Sequence, residues 1–181
     1  MPSLSTRPRA KGNAVPEADK ALLVVAQSAE LAVHDLYLNA IAKAGFSGDE
    51  LATIQLFADH HLAYAQAIGG LLGSDAPFER DDAIYQQFVG ATSSRATAAR
   101  TLQTLENTLA ATHTDILSRI EGTNGAELVA SIIVVEARHA AVFGTLPTIS
   151  LTSALDNTAQ SLLPPATGTA PATTTETTVA P

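Results

Sequence analysis

Apolar and polar positions follow a helical period along most of the chain between residues 16 and 146. The clearest series lies in residues 51–72, where apolar side chains recur at intervals of three, four or seven: Leu51, Ile54, Ala58, Ala65, Ile68 and Leu72. His61 occupies the position that this series omits. Such spacing is that of one helix face packed against a core. The stretch therefore predicts a helix with a histidine on its buried face.

Local signals set the limits of four long helices, which we predict at residues 16–44, from 48 to the glycine-rich region 69–73, 95–120 and 126–143. Pro16 suits the first turn of the first helix, and Gly45 suits its end. Ser47, followed three residues later by Glu50, is the pattern of a capping box at the start of the second helix. Asn124 is the predicted cap of the fourth helix.

Residues 73–94 interrupt the helical period with glycine, proline and serine, apart from a short helix predicted at 81–89. About 20 residues can stretch over roughly 60 Å at ~3.3 Å each, which is enough to return the chain along a long helix. The β-branched run 132–135 would suit a strand, but the length of its apolar segment and its helical flanks favour a helix. We therefore predict an all-α fold: an antiparallel four-helix bundle with a long crossover between the second and third long helices.

The composition divides the chain into four parts. We predict a disordered N-terminal arm at 1–15, the bundle at 16–146, a segment at 147–163 that caps one end of the bundle, and a disordered tail at 164–181. The tail is almost entirely Thr, Ala and Pro, and such a sequence has too little apolar surface to offset the entropy lost on ordering.

The composition limits the kinds of core and of metal site. Hydrophobic residues make up 46% of the sequence and aromatic residues only 4%, so the core must be built from Ala, Leu, Val and Ile. Cysteine is absent, which excludes disulfides and thiolate metal sites.

The charge is unevenly placed along the chain. Residues 1–20 hold four basic and two acidic side chains, whereas residues 21–181 hold six basic and sixteen acidic ones. An acidic body argues against nucleic acid as a partner and suits a protein that handles cations.

The location of the protein is predicted from the segments that the sequence lacks. No uninterrupted apolar run reaches the roughly 20 residues that span a bilayer, so we expect no membrane partner. The first 20 residues show neither an apolar signal-peptide core nor a small-residue cleavage site. With Met1 as the native start, we expect a cytoplasmic protein.

The candidate chemistry begins with Glu136 and His139, which share one face of the fourth predicted helix directly after the apolar run 131–135. An isolated pair of this kind most often faces water at a helix edge. A buried, unpaired carboxylate is unfavourable, so a position in the core would require a partner. A metal ion is the commonest one.

Two pairs, each of one Glu and one His on neighbouring helices, lie at equal distances from a predicted turn. In an antiparallel hairpin, residues equidistant from the turn lie side by side. The midpoint between Glu30 and His61 falls in the predicted turn after the first helix, and the midpoint between Glu106 and His139 falls in the turn before the fourth. Each predicted hairpin therefore brings one Glu and one His to the same level.

This layout is that of a carboxylate-bridged pair of metal ions in a bundle, which uses a Glu from each of two helices and Glu-x-x-His from each of the other two. Anionic oxygens neutralise and bridge iron or manganese ions, and imidazoles complete their coordination. On these residues the chain resembles the ferritin-like superfamily, and most closely the bacterial ferritin-like domain family, over roughly residues 18–146. The resemblance is carried by Glu30 with Leu36-Tyr37, His60-His61, Glu106 and Val135-Glu136-Ala137-Arg138-His139-Ala140.

The resemblance implies a ligand set of five residues: Glu30, His61, Glu106, Glu136 and His139. It implies iron as the metal, with manganese and zinc as alternatives, and metal ions as the partners. The resemblance is also compatible with a homo-oligomer. His60 is an alternative to His61, and His34, one turn from Glu30, is a further candidate ligand.

The chain departs from the family pattern at two positions. The Glu expected three residues before the histidine of the second helix would fall at Ala58, or at Phe57 if His60 were the ligand. His113 stands where a Tyr is expected in the third long helix, and we interpret it, with Tyr37 and Tyr64, as either a supporting group of the site or a packing residue. Three carboxylates then remain instead of four, a deficit for which His34 or Asp59 would compensate.

Three functions are consistent with these residues. The first is a ferritin-like protein that binds iron at a pair of sites and stores or oxidises it. The second is a single-ion site for zinc or iron, held by His61, His139 and one or two Glu. The third is a metal-free, degenerate bundle that acts as a binding or scaffold module, which the missing carboxylate favours. A haem ligated through Met between subunits is disfavoured, because Met1 is the only methionine.

Overall fold

The computed structural model describes residues 14–145 and 150–165. In these residues the regular structure is α-helical apart from one 3₁₀ turn at Gly73–Asp75. The helices are α1 (Glu17–Lys43), α2 (Gly48–Leu72), α3 (Asp82–Thr92), α4 (Arg95–Arg119), α5 (Thr123–Thr145) and α6 (Leu151–Leu155). The prediction of an all-α protein is confirmed. The predicted arm and tail fall largely outside the described residues.

The helix limits follow the local sequence closely, with two exceptions. Gly45 ends the first helical segment with φ +74°, a conformation that residues with a side chain rarely adopt. Ser47 precedes α2 as predicted, but its side chain makes no capping hydrogen bond. Helix α5 begins at Thr123, so Asn124 lies inside the helix and its predicted capping role is wrong. Asp81 caps α3 by accepting hydrogen bonds from two backbone N–H groups.

The long helices pack in pairs that are adjacent in sequence. Helix α1 packs along α2, and α4 packs along α5; α1 also contacts α4, and α2 contacts α5. Helix α3 lies against α1 and α4. The connections between paired helices are short, at residues 44–47 and 120–122. The first predicted turn is placed correctly, whereas the second ends earlier than predicted, because residues 123–125 already belong to α5.

The apolar core consists of two clusters separated by polar residues. One contains residues such as Val33, Leu109 and Phe143, and the other is built around Leu23 and Ile132. Along α2, α4 and α5, the change from one cluster to the other occurs where a buried His or Glu interrupts the apolar series. A buried polar layer therefore crosses the helices between their ends.

Two close contacts fix the relative positions of the helices. Asp19 in α1 is 1% exposed, and its carboxylate accepts hydrogen bonds from the backbone N–H groups of Glu121 (2.9 Å) and Gly122 (2.7 Å) in the α4–α5 turn. In α2, a Cβ added at Gly69 would lie 2.5 Å from the ring of Phe78. Any side chain at this position would have to displace the Phe78 ring and the buried Gln27 side chain.

The segment 150–165 lies against α4 and α5: its helix α6 contacts α5, and hydrogen bonds join the segment to α4. The Gln103 side chain donates to the Ala154 carbonyl (3.3 Å), the Leu162 N–H donates to the Thr112 hydroxyl (3.0 Å), and Arg119 donates to the Pro164 carbonyl (2.9 Å). These contacts are spaced over four turns of the helix. The described part of the predicted capping segment therefore lies along a side of the helices, whereas the sequence suggested that it would cover an end.

Helices α1 and α5 are long and apolar enough to cross a membrane by length and composition alone, although neither contains an uninterrupted apolar run of that length. The core helices of water-soluble proteins meet the same criterion, and half of the most apolar window of α1 is buried inside the structure. The expectation of no membrane partner stays a prediction.

Candidate metal centre

Six titratable side chains from the four long helices meet in the polar layer. They are Glu30 from α1, His61 from α2, Glu106 and His113 from α4, and Glu136 and His139 from α5. Each is at most 1% exposed. The structure thus brings together all five residues that the resemblance implied, and adds His113.

The six residues form two groups of three. In the first, which we call triad 1, His61 Nε2 lies 3.0 Å from Glu106 Oε1, and His139 Nδ1 lies 3.3 Å from Glu106 Oε2. One ligand-type atom from each of the three residues lies within 4.8 Å of the other two. Triad 1 therefore offers two imidazoles and one carboxylate from three different helices.

The second group, triad 2, consists of Glu30, His113 and Glu136. His113 Nδ1 lies 2.8 Å from Glu136 Oε1, and its Nε2 lies 3.7 Å from Glu30 Oε1. Here too, one ligand-type atom from each of the three residues lies within 4.8 Å of the other two. Triad 2 therefore offers two carboxylates and one imidazole, the reverse of triad 1.

Glu30 connects the two triads. Its Oε2 lies 2.7 Å from His61 Nδ1 in triad 1, while its Oε1 faces His113 in triad 2. The Tyr37 hydroxyl, buried two turns further along α1, donates a hydrogen bond to Glu106. One continuous polar network therefore links all four long helices.

The electrostatics of this network reflect burial and mutual attraction. Burial alone would raise the pKa of Glu106, but the imidazoles of His61 and His139 outweigh it and lower that pKa to about 2. Burial alone would lower the pKa of His61, but Glu106 and Glu30 raise it well above its usual value. Triad 1 therefore holds a carboxylate beside a protonated imidazole when no metal is bound.

In triad 2 the balance between burial and attraction is different, because burial dominates the pKa of its carboxyl Glu136. Burial raises the pKa of Glu136 to about 7, despite the nearby imidazole of His113, and the carboxylates of Glu30 and Glu106 add to the rise. The pKa of His113 is also raised: burial lowers it, but Glu136 and Glu30 outweigh that effect. Burial beside two other carboxylates therefore disfavours the ionised form of Glu136, whereas the carboxylates that face His113 favour its protonated form.

The hydrogen bonding of the network is incomplete, and this is the observation that tests whether a cation fits. Among the residues that the structure describes, the buried side-chain nitrogen and oxygen atoms without a hydrogen-bond partner are Glu30 Oε1, Glu106 Oε2, His113 Nε2, Glu136 Oε2 and His139 Nδ1. All five belong to the two triads. Buried polar atoms are nearly always satisfied, and all five are of the kinds that ligate iron, manganese or zinc. The residues present therefore fit a bound metal.

Two histidines that the sequence singled out lie outside the triads. His34 is half-buried, and its Nδ1 faces the neighbouring Asp35 carboxylate at 3.2 Å, so its candidacy as a ligand is not supported. His60 lies at the edge of the site, where its Nδ1 is 3.0 Å from His139 Nε2 and the two rings stack with an interplanar angle of 4°. Asp59 is exposed and does not replace the missing carboxylate. Ala58, at the position of that carboxylate, is buried.

His113 is the one member of the two triads that the sequence had not placed among the candidate ligands. Its spacing contained a signal, because it follows Glu106 by seven residues, two turns along one helix face. Sequence spacing could show that His113 is buried. It could not show which acids its ring faces.

Long paired helices with buried acids and imidazoles facing one another are the features from which carboxylate-and-histidine metal sites of helical bundles are built, and the described residues contain three such acids and three such imidazoles. Residues 18–148 match the ferritin-like domain family, and the chain belongs to that family. No curated protein and no solved structure gave a match to the chain.

Proposed function

We propose that this protein binds iron between its four long helices, arranged as an antiparallel bundle in which residues 73–94 form the long crossover. The pairing of α1 with α2 and of α4 with α5, and the contacts that join the pairs, support this arrangement. The family membership supports the ferritin-like architecture. Residues 16–146 would form the metal-binding domain.

The observation that carries the proposal is the convergence of the five unpartnered atoms on one buried layer. Each unsatisfied buried group costs about 1–3 kcal/mol, so five in one place imply a ligand that satisfies them together. The proposed ligands are Glu30, His61, Glu106, Glu136 and His139. Three carboxylates would attract a cation and would repel an anion, so the bound ligand must be a cation.

Iron fits the mixture of carboxylate and imidazole best, with manganese favoured by the carboxylates and zinc by the imidazoles. When bound, iron would supply one-electron chemistry with oxygen, so the proposed activity is the storage or oxidation of iron(II). The side chains of the chain itself hold the cation, exclude bulk water and release protons as the metal binds. The acidic body supports a protein without a nucleic-acid partner, and we propose a cytoplasmic location and no membrane partner.

The proposal is tested by adding iron(II) without oxygen to protein stripped of metal with a chelator, and counting the ions bound per folded chain. We expect one or two, followed by oxygen consumption when air is admitted. Glu136→Gln, which removes one proposed ligand, should bind fewer ions. The matched control is Glu127→Gln, which removes an exposed carboxylate from the same helix and should bind as many ions as wild type. A folded chain that binds none of iron, manganese or zinc would rule the function out.

A metal-free scaffold is the second candidate function. Ala58 favours it, because a buried alanine stands where the resemblance requires a carboxylate. The Glu30–His61–Glu106 hydrogen bonds, which form without metal, favour it too. Under this hypothesis an excess of metal ions leaves the unfolding temperature unchanged, whereas under the metal-binding hypothesis it raises that temperature.

A further inference from the structure

We propose that His113 is itself a metal ligand, so that the protein holds two divalent ions in unequal positions: one with two imidazoles and a carboxylate, in triad 1, and one with two carboxylates and an imidazole, in triad 2. The inference rests on the proposed function and extends it from one buried site to two positions of different chemistry. It also assigns a replacement for the ligand that α2 lacks.

The first observation that supports the proposal is the number of buried atoms in triad 2 that lack a hydrogen-bond partner. Three of the five unpartnered buried atoms lie there: Glu30 Oε1, Glu136 Oε2 and His113 Nε2. They come from α1, α5 and α4, so no single helix accounts for their proximity. Without His113, this position would offer only two carboxylates, fewer than the three protein ligands of a typical catalytic zinc site or facial iron site.

The second support is the way in which the His113 ring is used. An imidazole that only orients a metal-binding carboxylate commonly has its other nitrogen satisfied or exposed to water. The Nδ1 atom of His113 does face Glu136 at 2.8 Å, but its Nε2 is fully buried, has no hydrogen-bond partner and points toward Glu30 Oε1 at 3.7 Å. That separation is too long for a hydrogen bond. A cation that both groups ligate would satisfy them together.

The two positions differ in charge as well as in ligand type. Triad 1 contains one carboxylate and triad 2 contains two, so a divalent ion is neutralised by its own ligands only in triad 2. Carboxylate-rich sites favour manganese, and imidazole-rich sites favour zinc or cobalt. We therefore expect mixed loading, with manganese in triad 2 and zinc in triad 1, when both metals are supplied.

The experiment is an equilibrium titration of metal-stripped protein with cobalt(II), followed by visible absorption. Wild type should bind two equivalents with two distinct spectra. His113→Ala should bind one equivalent and keep the spectrum of the position with two imidazoles. His139→Ala should also lose one equivalent but keep the other spectrum. Circular dichroism on each variant establishes that the helices are intact.

A second variant separates ligation from orientation. In His113→Gln the side-chain amide can still donate a hydrogen bond to Glu136, but the imidazole is lost. If His113 is a ligand, this variant binds one equivalent tightly, as His113→Ala does. If His113 only orients Glu136, it binds two equivalents with the wild-type spectra. His34→Ala, which removes an imidazole outside both triads, is the matched control and should keep two equivalents.

The outcomes distinguish this inference from the function on which it rests. Two equivalents in wild type and one in both His113 variants support it. Two equivalents in His113→Gln, or a single equivalent in wild type, overturn the inference and leave the protein a metal binder. No cobalt, iron, manganese or zinc bound by folded wild type overturns both.

Discussion

Replacing Glu136 by Gln separates the unfavourable burial of this carboxyl from its use as a ligand. Burial raises the pKa of Glu136 from 4.5 to about 7 in the metal-free protein. Because one pKa unit corresponds to about 1.4 kcal/mol, the ionised form costs roughly 3 kcal/mol. The neutral amide of the variant would avoid this cost but would weaken the attraction to His113. The metal-free variant should therefore be about 1–3 kcal/mol more stable than wild type at pH 8.

The gain depends on pH in a defined direction. The pKa of Glu136 is higher in the folded state than in the unfolded one, so its contribution to stability is complete below pH 4.5 and is lost as the pH rises through about 7. The difference between variant and wild type should therefore be small at pH 5 and largest above pH 7. For a chain of this size it corresponds to about 3–10 °C in unfolding temperature at pH 8.

The assay is thermal unfolding followed by circular dichroism, at pH 5 and pH 8, with chelator and with manganese or anaerobic iron(II). Metal at 100 times its dissociation constant should stabilise wild type by about 2.7 kcal/mol for each position that is filled. Glu136→Gln keeps only triad 1 intact, so it should gain about half as much, and its advantage over wild type should disappear when metal is added. Glu127→Gln, exposed on the same helix, should follow wild type throughout. A metal-free variant less stable than wild type at pH 8, or one that metal stabilises equally, would refute the reasoning.

Three further changes follow from the contacts described above. Tyr37→Phe removes a buried hydroxyl and its hydrogen bond to the site, and should destabilise the metal-free protein by about 1–2 kcal/mol in urea unfolding, without changing metal stoichiometry. His60→Ala removes the ring that contacts His139 Nε2, and should weaken metal binding about 10–100-fold in a competitive titration while the number of ions stays the same. Gly69→Ala should destabilise the fold by about 1–3 kcal/mol because its Cβ has no room, whereas the adjacent Gly70→Ala, with open space around it, should be neutral or stabilising; equal effects of the two would contradict this.

The helices and their pairing could be predicted because periodicity and turn position are local properties of the sequence. Midpoints between the Glu and His residues located both turns, and the side chains do meet: Glu30 lies 2.7 Å from His61, and Glu106 lies 3.3 Å from His139. Once two helices are joined by a short turn, distance from the turn fixes level along the hairpin. The role of these residues as ligands stays a prediction.

The remaining features depend on which way a side chain turns and on packing between distant segments. His34 is four residues from Glu30, a spacing that places two residues on neighbouring parts of one face, but its ring faces Asp35 at the edge of the helix. His113, seven residues from Glu106 on one face of α4, is fully buried. The segment at 150–165 has weak periodicity. Hydrogen bonds, which no apolar pattern predicts, join it to α4, and its helix α6 contacts α5.

The most direct measurement is anomalous X-ray diffraction from crystals of the protein loaded with manganese or iron, recorded at the absorption edge of the metal. The account predicts anomalous peaks between the four long helices, one within reach of His61, Glu106 and His139 and one within reach of Glu30, His113 and Glu136. Loaded crystals with no peak in the polar layer, or with metal bound only at surface carboxylates, would contradict it.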